Sequence, residues 1–331
     1  MATASNQLVT VFGGSGFVGR HLVRALAKRG YRVRVAVRRP DLAQFLQPIG
    51  NVGQIHAVQS NLRYPQSLSR ALDGADAAVN LVGILAEEGS QTFDSVQADG
   101  ARAVAEAAAA ARIARFVQMS AIGAAANSDS AYARTKAAGE AAALAAIPTA
   151  VITRPSIVVG PEDGFFNRFA TLARISPVMP LVGGGETRFQ PVYVGDVAEA
   201  IALAVDGKAR TGTIYELGGP EIRTFRELIE YVLAVTGRKR MMVPLPFGVA
   251  RIQARVLEAV KYASFGLLPE EFLLTRDQVN LLAHDNVVGD AAVSEGRTLE
   301  DLGIHPESIG AIVPGYLARF RRMGQFDRTP A

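Results

Sequence analysis

Leu8-Val9-Thr10-Val11-Phe12-Gly13-Gly14-Ser15-Gly16-Phe17-Val18-Gly19 is the stretch whose reading decides the fold, with Arg20-His21-Leu22-Val23-Arg24-Ala25-Leu26-Ala27 directly behind it. A short β-rich apolar run meets a glycine turn, and a helical pattern opens out of that turn. The glycines have separate tasks: one permits the tight turn, one lets backbone approach a pyrophosphate, one lets the helix lie close to the strand. The helix N-terminus then presents N–H groups and the positive end of its dipole to phosphate. Gly13, Gly14, Ser15, Gly16, Phe17 and Val18 are therefore candidate phosphate-cradling residues.

On its own the glycine spacing is weak, because 32 glycines in 331 residues supply about 0.3 matches by chance. Its surroundings strengthen it. Val18, Leu22, Ala25 and Leu26 follow the stripe of a helix packed on a sheet, and Gly30 stands where a C-terminal cap belongs. Tyr31-Arg32-Val33-Arg34-Val35-Ala36-Val37 then alternates as a second strand. Beyond it a site for NAD usually places an acid for the ribose hydroxyls. Here stand Arg38-Arg39-Pro40, with Asp41 already past the proline. Two guanidiniums suit a ribose carrying a 2′-phosphate, which takes charge-assisted and often bidentate donors. The expected cofactor is NADP(H) rather than NAD(H).

Further along, strands and helices alternate. Gln54–Val58 reads as a third strand, Ser67–Leu72 as a short helix, and Asp76–Gly83 as a buried fourth strand. Val96–Ala111 reads as an Ala-rich helix and Ala114–Met119 as a fifth strand. Such βαβ units predict an α/β fold, a Rossmann-like doubly wound parallel sheet, whose ligands lie outside the carboxyl ends of the strands. Arg38, Asn61 with Leu62, Val82 with Gly83, and Ser120 all fall at such ends. The expected organisation is a nucleotide-binding domain over 7–218, with a substrate-side insertion at 160–190, and a smaller, mostly helical lobe over 219–331 for substrate or partner.

A second constellation is Ser120, Tyr132 and Lys136. Tyr and Lys four apart share a helix face, and eight tyrosines with five lysines give about 0.12 such pairs by chance. A phenol with an ordinary pKa near 10 acts as general acid or base when a nearby ammonium favours its anion. The lysine can also bond ribose hydroxyls, and the serine can orient a substrate carbonyl.

Composition narrows the classes. With 49% hydrophobic and 20% charged residues the chain is not disordered, and a net charge of +4 without basic runs argues against nucleic acid. The absence of cysteine excludes disulfides and thiolate chemistry, and His21, His56, His284 and His305 lack ligand spacing, so no metal is expected. The first strand begins within ten residues of Met1, which leaves no room for a signal peptide. Ala141–Ile152, broken by Pro148, is too short to span a bilayer. Cytoplasmic residence is the expectation.

Gly13-x-x-Gly16-x-x-Gly19, Ser120 and Tyr132-x-x-x-Lys136 together resemble the short-chain dehydrogenase/reductase superfamily in its extended or atypical branch. Arg154-Pro155-Ser156-Ile157 resembles that branch's sixth-strand signature, and Tyr193–Ala198 its later strand-to-helix landmark. The resemblance implies Tyr132 as acid/base, Lys136 as its support and ribose ligand, Ser120 as substrate-orienting group, and Pro155 and Ile157 at the nicotinamide end. Gly160–Phe169, Gln190–Val194, Leu274–Val279 and Leu299–Ile304 are similar to segments of one group, the nucleotide-binding accessory subunit of respiratory complex I (NADH:ubiquinone oxidoreductase) and its bacterial relatives. That likeness implies a tightly held NADPH, complex I subunits or quinone-pathway proteins as partners, a role in assembly or stability, and a place near the membrane surface. The chain departs from the enzymes' pattern at Asn61, Gln97 and Ala121, where related proteins often carry an acid, Asn and Ser.

In the last third, Thr224–Thr236 reads as a helix capped by Thr224 and stopped at Gly237, and Val243–Phe247 as a break in structure. Val249–Tyr262 reads as a helix with an apolar stripe (Val249, Ile252, Val256, Val260) beside Arg251, Arg255 and Lys261, followed by apolar Phe265–Pro269. Such a helix packs on the core, docks a partner, or lies on an anionic membrane. Two functions stay open: a nucleotide-loaded accessory protein, or an active NADP(H)-dependent reductase, epimerase or dehydratase.

Overall fold

The computed structural model describes residues 6–263 and 275–326, and the side chains of these apart from 256–263 and 325. Contacts divide the chain into two compact units. The first comprises 1–155, 194–217 and 288–305, and the second 156–193, 218–287 and 306–331.

The first unit is built on one seven-stranded parallel sheet. Its strands are β1 (Leu8–Phe12), β2 (Arg32–Val37), β3 (Ile55–Gln59), β4 (Ala77–Asn80), β5 (Arg115–Met119), β6 (Val151–Pro155) and β11 (Ile214–Leu217), ordered β11-β6-β5-β4-β1-β2-β3. The order reverses between β1 and β4, and a crevice opens at that switch point at the carboxyl edge. The helices are α1 (Phe17–Lys28), α2 (Pro65–Leu72), α3 (Asp99–Ala110), α4 (Ala131–Ala146), α6 (Val194–Val205) and α10 (Asp290–Ser294). The strands are near-continuous Val/Ala/Phe runs because helices cover both faces of a parallel sheet. Phe12, Leu68, Val104, Phe116 and Ile152 are buried in one core. At the end of α1, Arg29 pairs with Glu199 of α6 and with Asp206 just past it, and the Tyr31 hydroxyl donates to Asp206 at 2.8 Å.

The second unit holds three two-stranded pairs. β7 (Val158–Val159) runs parallel to β10 (Val192–Tyr193), β8 (Val178–Val182) parallel to β13 (Met241–Leu245), and β9 (Arg188–Phe189) antiparallel to β12 (Arg223–Thr224). Met241–Leu245 thus pairs along its length where the sequence suggested a break, and Pro244 is tolerated because β13 has one partner and an open edge. Helices α5 (Phe166–Ile175), α7 (Phe225–Val235) and α11 (Ile309–Leu317) supply its main core, with Phe166, Phe189, Phe225, Leu228 and Val313 buried together, while α9 (Arg276–Leu281) contributes Val279 to a smaller cluster. Thr224 caps α7 as expected, reciprocally with Glu227, and Gly237 (φ +63°) ends it. The Gly160–Phe169 segment is shaped by Asp163, whose carboxylate accepts from the N–H groups of Gly160, Phe165 and Asn167 and from the Tyr316 hydroxyl.

Helix α8 (Phe247–Ala263) packs differently from its apolar stripe. Ala250 and Ala254 are buried with Val182 and Val279, while Val249 and Ile252 are 51% and 63% exposed. Two small residues allow the closer approach, and the larger side chains are left outside. Val256, Val260 and the segment Phe265–Pro269 lie outside the described side chains. Among the described residues no helix is long and apolar enough to cross a membrane.

One residue sets how closely α1 approaches the turn. A Cβ on Gly19 would stand 2.5 Å from Gly13 O and 2.6 Å from Gly14 backbone. Gly19→Ala is expected to cost about 1–3 kcal/mol and to lower the thermal midpoint. Gly164→Ala, where a Cβ meets nothing within 4 Å, should stay within about 0.5 kcal/mol of the parent. Equal midpoints for the two variants in thermal denaturation would contradict this packing.

Candidate functional site

Because the sheet is parallel, the exits of β1 to β5 share one edge, and the glycine turn, Arg38, Asn61, Val82, Gly83 and Ser120 all leave from it. Gly13 takes φ +77°, its N–H donates to Ala36 O at 3.1 Å, and its own carbonyl accepts from Gly16 N–H at 3.0 Å. A Cβ there would meet Leu81 and Val82 at 3.3 Å, so the turn lies directly against the exit of β4. Helix α1 starts at Phe17 with no side-chain cap and no acid in its first turn. That leaves a helix terminus suited to phosphate. Arg20 reaches back to Ser15 O at 3.5 Å and covers the Phe45 ring at 5.0 Å.

At the tip of β2 the two arginines differ. Arg39 donates twice to Asp41, at 3.3 and 2.7 Å, whereas Arg38 donates to the Gln91 side chain at 2.8 Å. Arg63, which the sequence reading passed over, bonds Ser90 Oγ at 3.0 Å and Ser90 O at 2.5 Å. Two guanidiniums from successive strand ends therefore converge on Ser90 and Gln91. Asn61 is occupied locally: its side-chain oxygen accepts from Arg63 N–H, and its own N–H donates to Ser67 Oγ. Leu62 packs partly buried against the core.

Helix α4 carries the second constellation. Ser130 caps it, accepting from Ala133 N–H at 3.2 Å. Lys136 Nζ lies 5.7 Å from the Tyr132 ring centroid and 3.5 Å from Met119 O, and a Cβ on Gly83 would approach it to 3.1 Å. Phe93 meets the Tyr132 ring edge to face at 5.8 Å. Ser120 is buried, and its N–H donates to Thr153 O at 2.7 Å. Its Oγ, like Thr153 Oγ1 and Gln97 Oε1, finds no hydrogen-bond partner among the described residues. A buried polar group left so costs about 1–3 kcal/mol, which a bound polar ligand would recover. Gln97 sits in a π-turn, Asp94–Ala98, and uses its amide nitrogen on Ile84 O at 2.9 Å. Glycine cradle, uncapped helix and orphaned hydroxyls fit a dinucleotide. Pro155 ends β6, buried; Ile157 belongs to the second unit, where it packs against the aromatic core and donates its N–H to Asn286 Oδ1 at 3.1 Å.

Besides the close packing of its small residues, α4 is held by a pair that the Arg-Pro signature did not reveal. Arg154 of β6 grips buried Glu140 of α4 at 2.7 and 2.6 Å and approaches Glu216 of β11 at 3.5 Å. Glu216 in turn accepts from Gly289 N–H at 2.8 Å. Asn80 does similar work at β4, donating to Gln118 and accepting from Val82 N–H. Neither pairing has a local sequence signal, since the partners are joined by the sheet.

Burial pushes the Lys136 ammonium down to about 8, against an upward pull from Glu140 one turn on. Between pH 8 and the ordinary lysine value of 10.5 the unfolded chain then holds a proton that the folded one has lost. Stability from this group rises with pH across that window, by on the order of 3 kcal/mol in total. In Lys136→Met that rise is expected to disappear. The gap between variant and parent in denaturant titrations should therefore be widest below pH 8 and close towards 10.5; a pH-independent gap would contradict it.

Comparison with known proteins agrees with this architecture. Residues 9–218 match the model of the NAD dependent epimerase/dehydratase family. The chain is 34% identical over 326 residues to NADH dehydrogenase (ubiquinone) 1 alpha subcomplex subunit 9, mitochondrial, of Arabidopsis thaliana, covering 98% of this chain and 80% of that protein. It is 36% identical over 250 residues to ceramide reductase of Caulobacter vibrioides, covering 74% of this chain and 76% of that one. The crystal structure of an Escherichia coli NADPH-dependent quinone oxidoreductase complexed with NADPH shares the fold, with a TM-score of 0.71 and 19% identity over 93% of this chain and 99% of its own. With its seven-stranded nicotinamide dinucleotide-binding sheet, the chain belongs to the NAD dependent epimerase/dehydratase family.

Proposed function

We propose that this chain holds NADP(H) as a retained nucleotide and serves as an accessory or assembly component of an NADH:ubiquinone oxidoreductase or of quinone metabolism. One observation carries the cofactor: β2 leads into exposed guanidiniums, and Asp41, the nearest acid in sequence, is turned onto Arg39 while Arg38 and Arg63 converge on Ser90 and Gln91. A 2′-phosphate takes such charge-assisted donors, whereas a bare ribose diol calls for a carboxylate. The accessory role is supported by similarity running almost end to end with complex I subunits of Arabidopsis thaliana and, at 32% identity over 92% of this chain, Rattus norvegicus. Its site is the inner, peripheral face of a respiratory membrane.

A second reading, an active reductase, epimerase or dehydratase, is favoured by the unpartnered buried Ser120 Oγ and by Lys136 beside Tyr132. Ser120 would donate its hydroxyl hydrogen to a substrate oxygen. Tyr132 would hold and pass a proton at Oη. Lys136, still an ammonium at pH 7, favours the phenolate and can bond the ribose. A bound nicotinamide supplies or accepts hydride.

Arg38→Ala with Arg39→Ala should weaken NADPH binding by about tenfold or more while leaving NADH within about twofold; equal weakening in titration calorimetry refutes the 2′-phosphate reading. Tyr132→Phe should lower any turnover by about 10²–10⁴ with cofactor affinity kept. Native mass spectrometry of the protein isolated from its own host membranes should show bound NADPH and respiratory-chain subunits. Recovery of the nucleotide without such subunits would favour the enzyme.

A further inference from the structure

The second unit carries an open cleft of about 330 Å³ lined by Gly237, Arg238, Lys239, Arg240 and Arg322. Three consecutive basic residues follow the end of α7, and a fourth follows the 3₁₀ turn Ala318–Phe320 that continues α11. Part of this charge has a structural duty. Arg238 donates through Nε and Nη2 to Phe320 O at 3.2 and 2.9 Å, Arg321 to Val235 O at 2.9 Å, and Arg240 through Nε to Ala173 O at 2.8 Å. These bonds satisfy helix-end carbonyls and suit the negative end of the dipole.

The remainder exceeds that duty. No carboxylate pairs with Arg238, Lys239, Arg240 or Arg322 among the described residues. Burial, then the positive neighbours Arg240, Arg174 and Arg322, hold the Arg238 guanidinium below its ordinary range. Like charges gathered around one concavity, two of them, Arg238 and Arg240, held by backbone bonds, are costly without a counter-charge. Guanidinium and ammonium donors of this kind suit phosphate oxygens. Beside them stand exposed apolar side chains, Met241, Met323 (71% exposed) and Phe326 (82%).

We propose that this cleft is a phosphate-group site, taking a phosphate mono- or diester on Lys239, Arg240 and Arg322. It rests on the second unit alone and is independent of the reading of the nucleotide site. Two sources share the chemistry, a lipid headgroup and a soluble phosphate, and two probes separate them. The full chain is co-sedimented with phosphatidylglycerol vesicles and, in parallel, with phosphatidylcholine vesicles, and is titrated with inorganic pyrophosphate. Lys239→Gln with Arg322→Gln, side chains without a hydrogen bond among the described residues, should reduce binding of the effective probe by about tenfold or more. NADPH affinity and thermal midpoint should be kept, which reports an intact fold. Arg24→Gln with Arg70→Gln, both exposed on the first unit, should leave binding as it is. Selective sedimentation with phosphatidylglycerol assigns the lipid source; pyrophosphate binding without vesicle binding assigns the soluble one. Binding of neither probe, or equal loss in the two double variants, overturns the proposal.

Discussion

The absence of a side chain at Gly19 is the constraint on which the nucleotide half of this molecule depends. Gly13 O occupies the space that a Cβ would need, so helix α1 can lie against the turn and aim its first peptide groups at the crevice. The turn abuts the exit of β4 because Gly13 adopts a left-handed conformation that other residues avoid. Strand order then determines what else can reach that point. With β1 between β2 and β4, charge arriving from β2 and β3 and polar groups arriving from β4 and β5 share one edge.

Helix α4 is positioned by close packing of small residues, Gly139 and Ala143 among them, and by charge. It is rich in alanine, and its hold on the sheet comes from Glu140 gripped by Arg154, with Glu216 and Gly289 behind. Breaking one member of a buried pair costs about 3–5 kcal/mol, so the same residues that fix the helix also fix where Lys136 is buried. That burial has two consequences. The ammonium is depressed, and it stays close to the Tyr132 ring. A site arranged in this way stores unfavourable electrostatics that a polyanionic ligand relieves, which is compatible with both retention and turnover.

The second unit solves a different problem. Its strands come only in two-stranded pairs, so cohesion rests on the phenylalanine cluster and on Asp163, which gathers three backbone N–H groups and Tyr316. Burial raises both Asp163 and Tyr316 above their ordinary values, and the Tyr316 hydroxyl donates to the Asp163 carboxylate. Its surface, by contrast, is strongly basic at one end of α7.

Much of the first unit was legible in sequence because its determinants are local. The glycine spacing, the arginines after β2 and the Tyr–Lys interval each act within a few residues of themselves, as the Thr224 cap does in the second unit. Element ends moved by up to three residues, and the nucleotide-binding parallel sheet, the family and the edge that gathers the candidate residues followed from that order. What the chain alone could not disclose depends on partners far apart in sequence: Glu140 with Arg154 and Glu216, Asn80 with Gln118, and Arg63 converging with Arg38 on Ser90 and Gln91. The strand at Met241–Leu245 was hidden for the same reason, since only pairing with Val178–Val182 makes a proline-containing run a strand. On α8 periodicity identified an apolar stripe, but the structure packs Ala250 and Ala254 instead. Hydrophobicity marks which residues favour burial; how closely two backbones can approach decides which of them achieve it.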